Sequence, residues 1–278
     1  RLAVGKGIGT DIIGGDIIAT AGDVSAFTGG LIRVATGKSD ASSSGAIYIQ
    51  SSNAGDLGVS GSLMFSTGTT SSGSSGYLKL ASGNAVGGKA GDMLVVLGTG
   101  DTGAGGDILM NAGASSDSAD GTGGAIRLTS GYGTQSSSGA VVLKSSNAGV
   151  GGVSGMLQFR TGEASSGSSG SISLATGNAA ASGEGGNILL QVGSGTEGNG
   201  GGISMVAGAI TGTGIGGSVS GTAGASASTT GGSINLLSGA GTATSSGSIV
   251  LRTAASGLNG VSGALTFATG TAKLGSSG

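Results

Sequence analysis

Large aliphatic side chains recur in pairs, two residues apart, at a regular interval along the whole chain: Ile47/Ile49, Leu63/Phe65 and Ile172/Leu174 are three such pairs. Each pair sits in a phrase that begins with Gly-Gly or Ser-Gly and closes on Thr-Gly or a near equivalent. Units open at residues 14, 29, 44, 60, 75, 90 and 105, then at 123, 138, 154, 169, 185, 200, 216, 231, 246 and 262. The usual step is 15 or 16 residues, with one step of 18 after Gly105. Counted from its opening residue, a unit almost always carries Ile, Leu, Val, Met or Phe at positions 4 and 6, and usually Thr, Ser or Ala at position 8. Positions 3, 5 and 7 vary and are often polar. Alternation with a period of two predicts a strand with one buried face. Glycines at both ends predict tight turns. No helical periodicity with caps is present, so the pattern predicts an essentially all-β chain.

A longer period lies over the short one. Gly29–Gly37 (GGLIRVATG) returns as Gly123–Gly131 (GGAIRLTSG), a shift of 94 residues. Ser-Ser-Asn-Ala-Gly occurs at Ser51–Gly55 and Ser145–Gly149, and Gly-Asn-Ala at Gly83–Ala85 and Gly177–Ala179. Phe65, Phe159 and Phe267 mark a third unit type, as its predicted inward-facing bulk. Six unit types thus make one block. One continuous β-solenoid over 1–278 is predicted, with blocks 1–28 (partial), 29–122, 123–230 and 231–278 (partial). Residues 1–13 match the end of a unit, Leu2, Val4 and Gly5 corresponding to Leu190, Val192 and Gly193. The extra unit Gly216–Thr230 would move every later strand to another face unless one unit is a complete rung, which favours a 15–16-residue rung. Two units per rung remains the alternative if the inserted unit bulges out. About 18 rungs at the strand spacing would make a rod roughly 85–90 Å long. Both ends stop in mid-pattern without a polar cap, which predicts head-to-tail stacking through open terminal rungs.

The GGxIxLxxG phrases resemble the strand-turn repeats of secreted β-helical adhesins of the filamentous-haemagglutinin type. They equally resemble Gly/Ser/Thr-rich tandem-repeat surface proteins of microbial eukaryotes. The resemblance runs the length of the chain, and what it implies is a β-helical fold.

Composition narrows the function classes. Glycine supplies 67 of 278 residues, and Pro, Cys, His and Trp are absent. Such Gly/Ser enrichment suggests a disordered linker, but the mean hydropathy is positive, the aliphatics are regularly spaced, and a linker has no reason to avoid proline. A formal charge of −2 with scattered Lys and Arg lacks the basic patch that nucleic acid requires. No stretch approaches the ~20 apolar residues of a membrane span. No disulfide framework is possible.

Candidate chemistry is sparse. Gly98–Gly103 and Gly193–Gly198 fit G-x-G-x-x-G, but each runs into another Gly-Gly and another strand instead of a helix, so both are expected to be turns. Asp16, Asp92 and Asp107 share position 3; the later block has Asn187 and Gly202 at the places of Asp92 and Asp107, so solvated turn carboxylates are expected and no metal site. No histidine or clustered acid–base set supports catalysis, the Ser-rich turns offer no base, and no cofactor is expected. Regular Thr-x-Thr ladders, which an ice-binding face needs, are missing: positions 5 and 7 hold Arg33/Ala35, Tyr48/Gln50 and Met64/Ser66. The units around 90–113 and 185–208 carry bulk on both faces, with Leu97 and Val192 where other units have Thr or Ser. Leu94, Val96, Leu109 and Leu189 are therefore candidate contacts with another copy of the chain. The composite expectation is a non-enzymatic structural repeat protein that polymerises with itself into an extracellular or cell-surface fibre, sheath or appendage, without nucleic acid or membrane insertion. An adhesin stalk or an ice binder is the alternative.

Overall fold

The computed structural model describes residue 4 and residues 14–117, 121–180 and 183–278; Leu2 and Gly5 lie outside them. By its internal contacts the chain divides into two units, Arg1–Val141 and Val142–Gly278. Among the described residues neither contains a helix or a strand. The expected all-β solenoid, or β-helix, is therefore not formed. The chain is coil-rich.

The period-two pattern nevertheless governs exposure along each segment. Ile47 is 51% exposed and the adjacent Tyr48 89%; the same alternation holds across Val141, Val142 and Leu143. Alternation of this kind needs a near-extended backbone. What is missing is the ladder beside it. No hydrophobic side chain among the described residues is buried, and Phe65, expected in the core, is 60% exposed. The chain exposes 27479 Å². A globular chain of 25.3 kDa would expose about 10,000 Å² and an unfolded one about 37,000 Å². The reason is energetic: two aliphatic side chains per unit cannot offset the ordering of fifteen Gly-rich residues unless neighbouring segments also pair.

Order resides instead in the turns, which fall into three kinds. In the first unit, Gly30 N–H donates to Gly22 O (2.9 Å), Gly45 to Gly37 (3.3 Å), Gly124 to Gly113 (2.8 Å) and Gly139 to Gly131 (2.9 Å), each bond closing a loop. Side chains brace one of these loops, the Ser39 hydroxyl accepting from Ser42 N–H at 3.0 Å. A shorter turn is closed by Gly58 N–H donating to Gly55 O (3.1 Å). The remaining turns have no closing bond of the first kind and bend at a glycine of positive φ: Gly73 (102°), Gly87 (72°) and Gly103 (74°).

The second unit repeats this order in part: where the first bends at Gly87, Gly183 N–H donates to Ala180 O (3.2 Å). A short turn spans Gly149–Gly152 (3.1 Å), Gly167 adopts φ 102° as Gly73 does, Gly198 has φ 79°, and closed loops follow at Gly208/Gly217, Gly224/Gly232 and Gly239/Gly247, each at 2.9 Å. The inserted unit at 216 is followed by the same kind of closed loop as the unit before it.

One contact recurs in every unit from Gly14 on. The glycine at position 2 lies against the side chain at position 8 of the preceding unit: Gly30 on Ala21, Gly45 on Thr36, Gly76 on Thr67, Gly155 on Ser145 and Gly263 on Thr253. Val4 lies against Gly15 as Val192 lies against Gly201.

Candidate functional site

The four predicted contact residues all lie on the outward, odd-numbered positions of their segments and are 71–84% exposed. Leu94 and Val96 share one segment, and Leu109 holds position 5 of the next, all in the first unit; Leu189 holds position 5 in the second. Exposure alone does not single them out, because no aliphatic among the described residues is buried. Their segments differ in another way. Leu97 and Val192 are the position-8 residues of those two segments and are only 45% and 42% exposed. Each packs its methyl groups on a following glycine, Gly106 and Gly201 respectively. Bulk at position 8 thus meets the position-2 glycine of the following segment, and the bulk at positions 5 and 7 stays uncovered.

Sequence reasoning missed a second set of uncovered aliphatics. Leu57 and Val59, Val150 and Val153, and Leu258 and Val261 lie in or beside three of the short turns and are 95–110% exposed. Their signal was Val59, Val153 and Val261 recurring before each Ser-Gly, which marked a period but not a tip.

The other motifs resolve as turns and solvated charges. Gly103 and Gly198 end the two G-x-G-x-x-G matches at positive φ, and no helix follows among the described residues. Asp92 is held by Lys89, whose Nζ lies 2.9 Å from both carboxylate oxygens. No group of three or more acidic, histidine or cysteine side chains converges among the described residues. The concavity beside the last segment is open to solvent and lined by Thr269, Gly270, Thr271, Ala272, Gly275 and Ser277, none of which ionises in the neutral range. Among the described residues no helix is long and apolar enough to cross a membrane. No protein-family model, curated protein or solved structure is significantly similar to the chain.

Proposed function

We propose that the chain is a structural, non-catalytic repeat protein that assembles with copies of itself into an extracellular fibre, sheath or surface appendage. Its support is a single observation: no hydrophobic side chain among the described residues is buried, although 36% of the sequence is hydrophobic. Uncovered apolar surface on this scale favours association. A partner with the same 15–16-residue period can meet one apolar pair after another along its length, so weak contacts multiply. A second copy has that period. The low net charge of −2 opposes such association only weakly. In this proposal Leu94, Val96, Leu109 and Leu189 provide the bulkiest lateral contacts.

Sedimentation velocity of the full chain over a concentration series tests the proposal. Assembly above a threshold concentration is expected, and Leu94→Ser with Leu109→Ser should raise that threshold at least tenfold, burial of a leucine being worth roughly 1.5–3 kcal/mol. A wild-type chain still monomeric at about 1 mM, where association would be weaker than about 4 kcal/mol, would overturn it.

A further inference from the structure

Of the nine asparagines, seven precede Ala, Ile or Leu, and two precede glycine: Asn199–Gly200 and Asn259–Gly260. The difference is chemical. An asparagine side chain is open to attack by the amide nitrogen of the next residue, and a β-carbon on that residue obstructs the approach. The attack also needs a backbone that can bend toward the side chain, which glycine does most readily. Both sites are exposed, so water reaches them. They differ in what holds the attacking nitrogen.

At the later site Gly260 N–H donates to Gly257 O (3.3 Å), closing the short turn Gly257–Gly260. The nitrogen keeps its proton in that bond and is committed to a carbonyl oxygen. At the earlier site no such bond engages Gly200 N–H, and the Asn199 side chain has no hydrogen-bond partner among the described residues. Asn199 stands in the run Gly198-Asn199-Gly200-Gly201-Gly202, with Gly198 at φ 79°. Nothing lies within 4 Å of the place that a β-carbon on Gly200 would take.

We infer that Asn199 is a site of spontaneous deamidation and that the turn bond at Gly260 protects Asn259. Gly200 N–H gives its proton to hydroxide, and the nitrogen bonds to Asn199 Cγ. The side-chain nitrogen takes a proton from water and leaves as ammonia, closing a succinimide ring. Water then opens the ring at Cγ, giving aspartate, or at the Asn199 backbone carbonyl carbon, giving isoaspartate. One water is taken up and one ammonia released, with no oxidant or cofactor. Each event takes the formal charge from −2 to −3, since −2 − 1 = −3. Isoaspartate also lengthens the backbone by one atom beside the junction where Val192 meets Gly201. Deamidation requires only a single chain and is independent of self-assembly.

Ageing the full chain in mildly alkaline buffer, then cleaving after Arg, Lys and Glu for peptide mass spectrometry, reads both sites. An unaged sample subtracts any change during digestion. Asn199 falls in peptide 198–252, where fragmentation separates it from Asn235, and Asn259 falls in peptide 253–273. Asn199 should deamidate roughly twofold to tenfold faster than Asn259, the factor by which one backbone hydrogen bond holds the turn closed. In concentrated urea the turn opens, and the two rates should converge. Gly200→Ala is the chemical control. Its β-carbon enters open space at a glycine without positive φ, so the backbone is undisturbed, and Asn199 should slow to the rate of Asn235. Asn199 no faster than Asn235 in the wild-type chain, equal rates at Asn199 and Asn259 in water, or a ratio unchanged by urea would overturn the inference.

Discussion

The glycine at position 2 gives the sharpest structural prediction, and Gly30 is its best case. A β-carbon placed on Gly30 would lie 3.0 Å from the Ala21 Cβ, 3.0 Å from the Gly22 amide nitrogen and 3.4 Å from the Gly22 carbonyl oxygen. Two of those three atoms are backbone, so no side-chain rotation relieves the contact. The same Gly22 oxygen accepts the 2.9 Å bond from Gly30 N–H that closes the loop. Gly30→Ala must therefore separate the two arms of the loop neck, weakening a hydrogen bond worth about 0.5–1.5 kcal/mol. The added methyl also stiffens the open chain, which returns about 0.4–1 kcal/mol only where the native backbone accepts alanine without strain. At Gly30 it does not, so opening should be favoured by about 1 kcal/mol, roughly fivefold in the closed-to-open ratio. Gly37 is the matched control: it accepts the closing bond of the next loop, has no positive φ, and has nothing within 4 Å of its would-be Cβ. Amide exchange at residues 30 and 45, followed by NMR on the dilute chain, reads both loops. Gly30→Ala should speed exchange at residue 30 about fivefold, and Gly37→Ala should leave residue 45 unchanged or slower. Equal effects of the two substitutions, or none from Gly30→Ala, would refute the steric basis of the repeat.

Gly73→Ala and Gly167→Ala should each disturb their turn, because φ of 102° is closed to a side chain at a cost of about 1–3 kcal/mol; loss of the Thr70 hydroxyl bond to the Ser72 carbonyl, seen as a shift change at Thr70, reports the first. In the same turn Gly76→Ala should be tolerated, since its nearest neighbour is a Thr67 methyl at 3.8 Å. Lys89→Ala should change neither the circular dichroism spectrum nor the assembly threshold, because both partners of its ion pair with Asp92 are largely solvated. Replacing Leu57, Val150 and Leu258 together by Ser should raise the assembly threshold if the turn tips share the burial, and sedimentation velocity measures it.

The alternation of shielded and exposed positions was legible in the sequence. Where positions 4 and 5 are both hydrophobic, position 4 is the more shielded, as Ile188 and Leu189 show. The position-2 contact was present in the letters too: glycine fills that place in every unit, although position 1 alternates between Gly, Ser and Ala. The ladder was not legible. Alternation reports which side of a segment could be covered, and it is silent on whether another segment lies at the ~4.8 Å spacing that would cover it. The inference from Phe65, Phe159 and Phe267 to a core assumed that neighbour within the same chain, and all three side chains are exposed. The candidate contacts at Leu94, Val96, Leu109 and Leu189 were found by bulk on both faces, a criterion that could not reveal Leu57 or Val150, which lie in turns.

Hydrogen exchange by mass spectrometry on the chain below its assembly threshold tests the central claim most directly, since a core-less chain leaves its segment amides open to water. Peptides covering the segments, such as 46–52 and 170–177, should exchange at unprotected rates, with retardation confined to peptides containing the loop-closing glycines 30, 45, 124, 139, 217, 232 and 247. Uniform, cooperative protection of the segments in the dilute chain would show a ladder within one molecule and contradict the account.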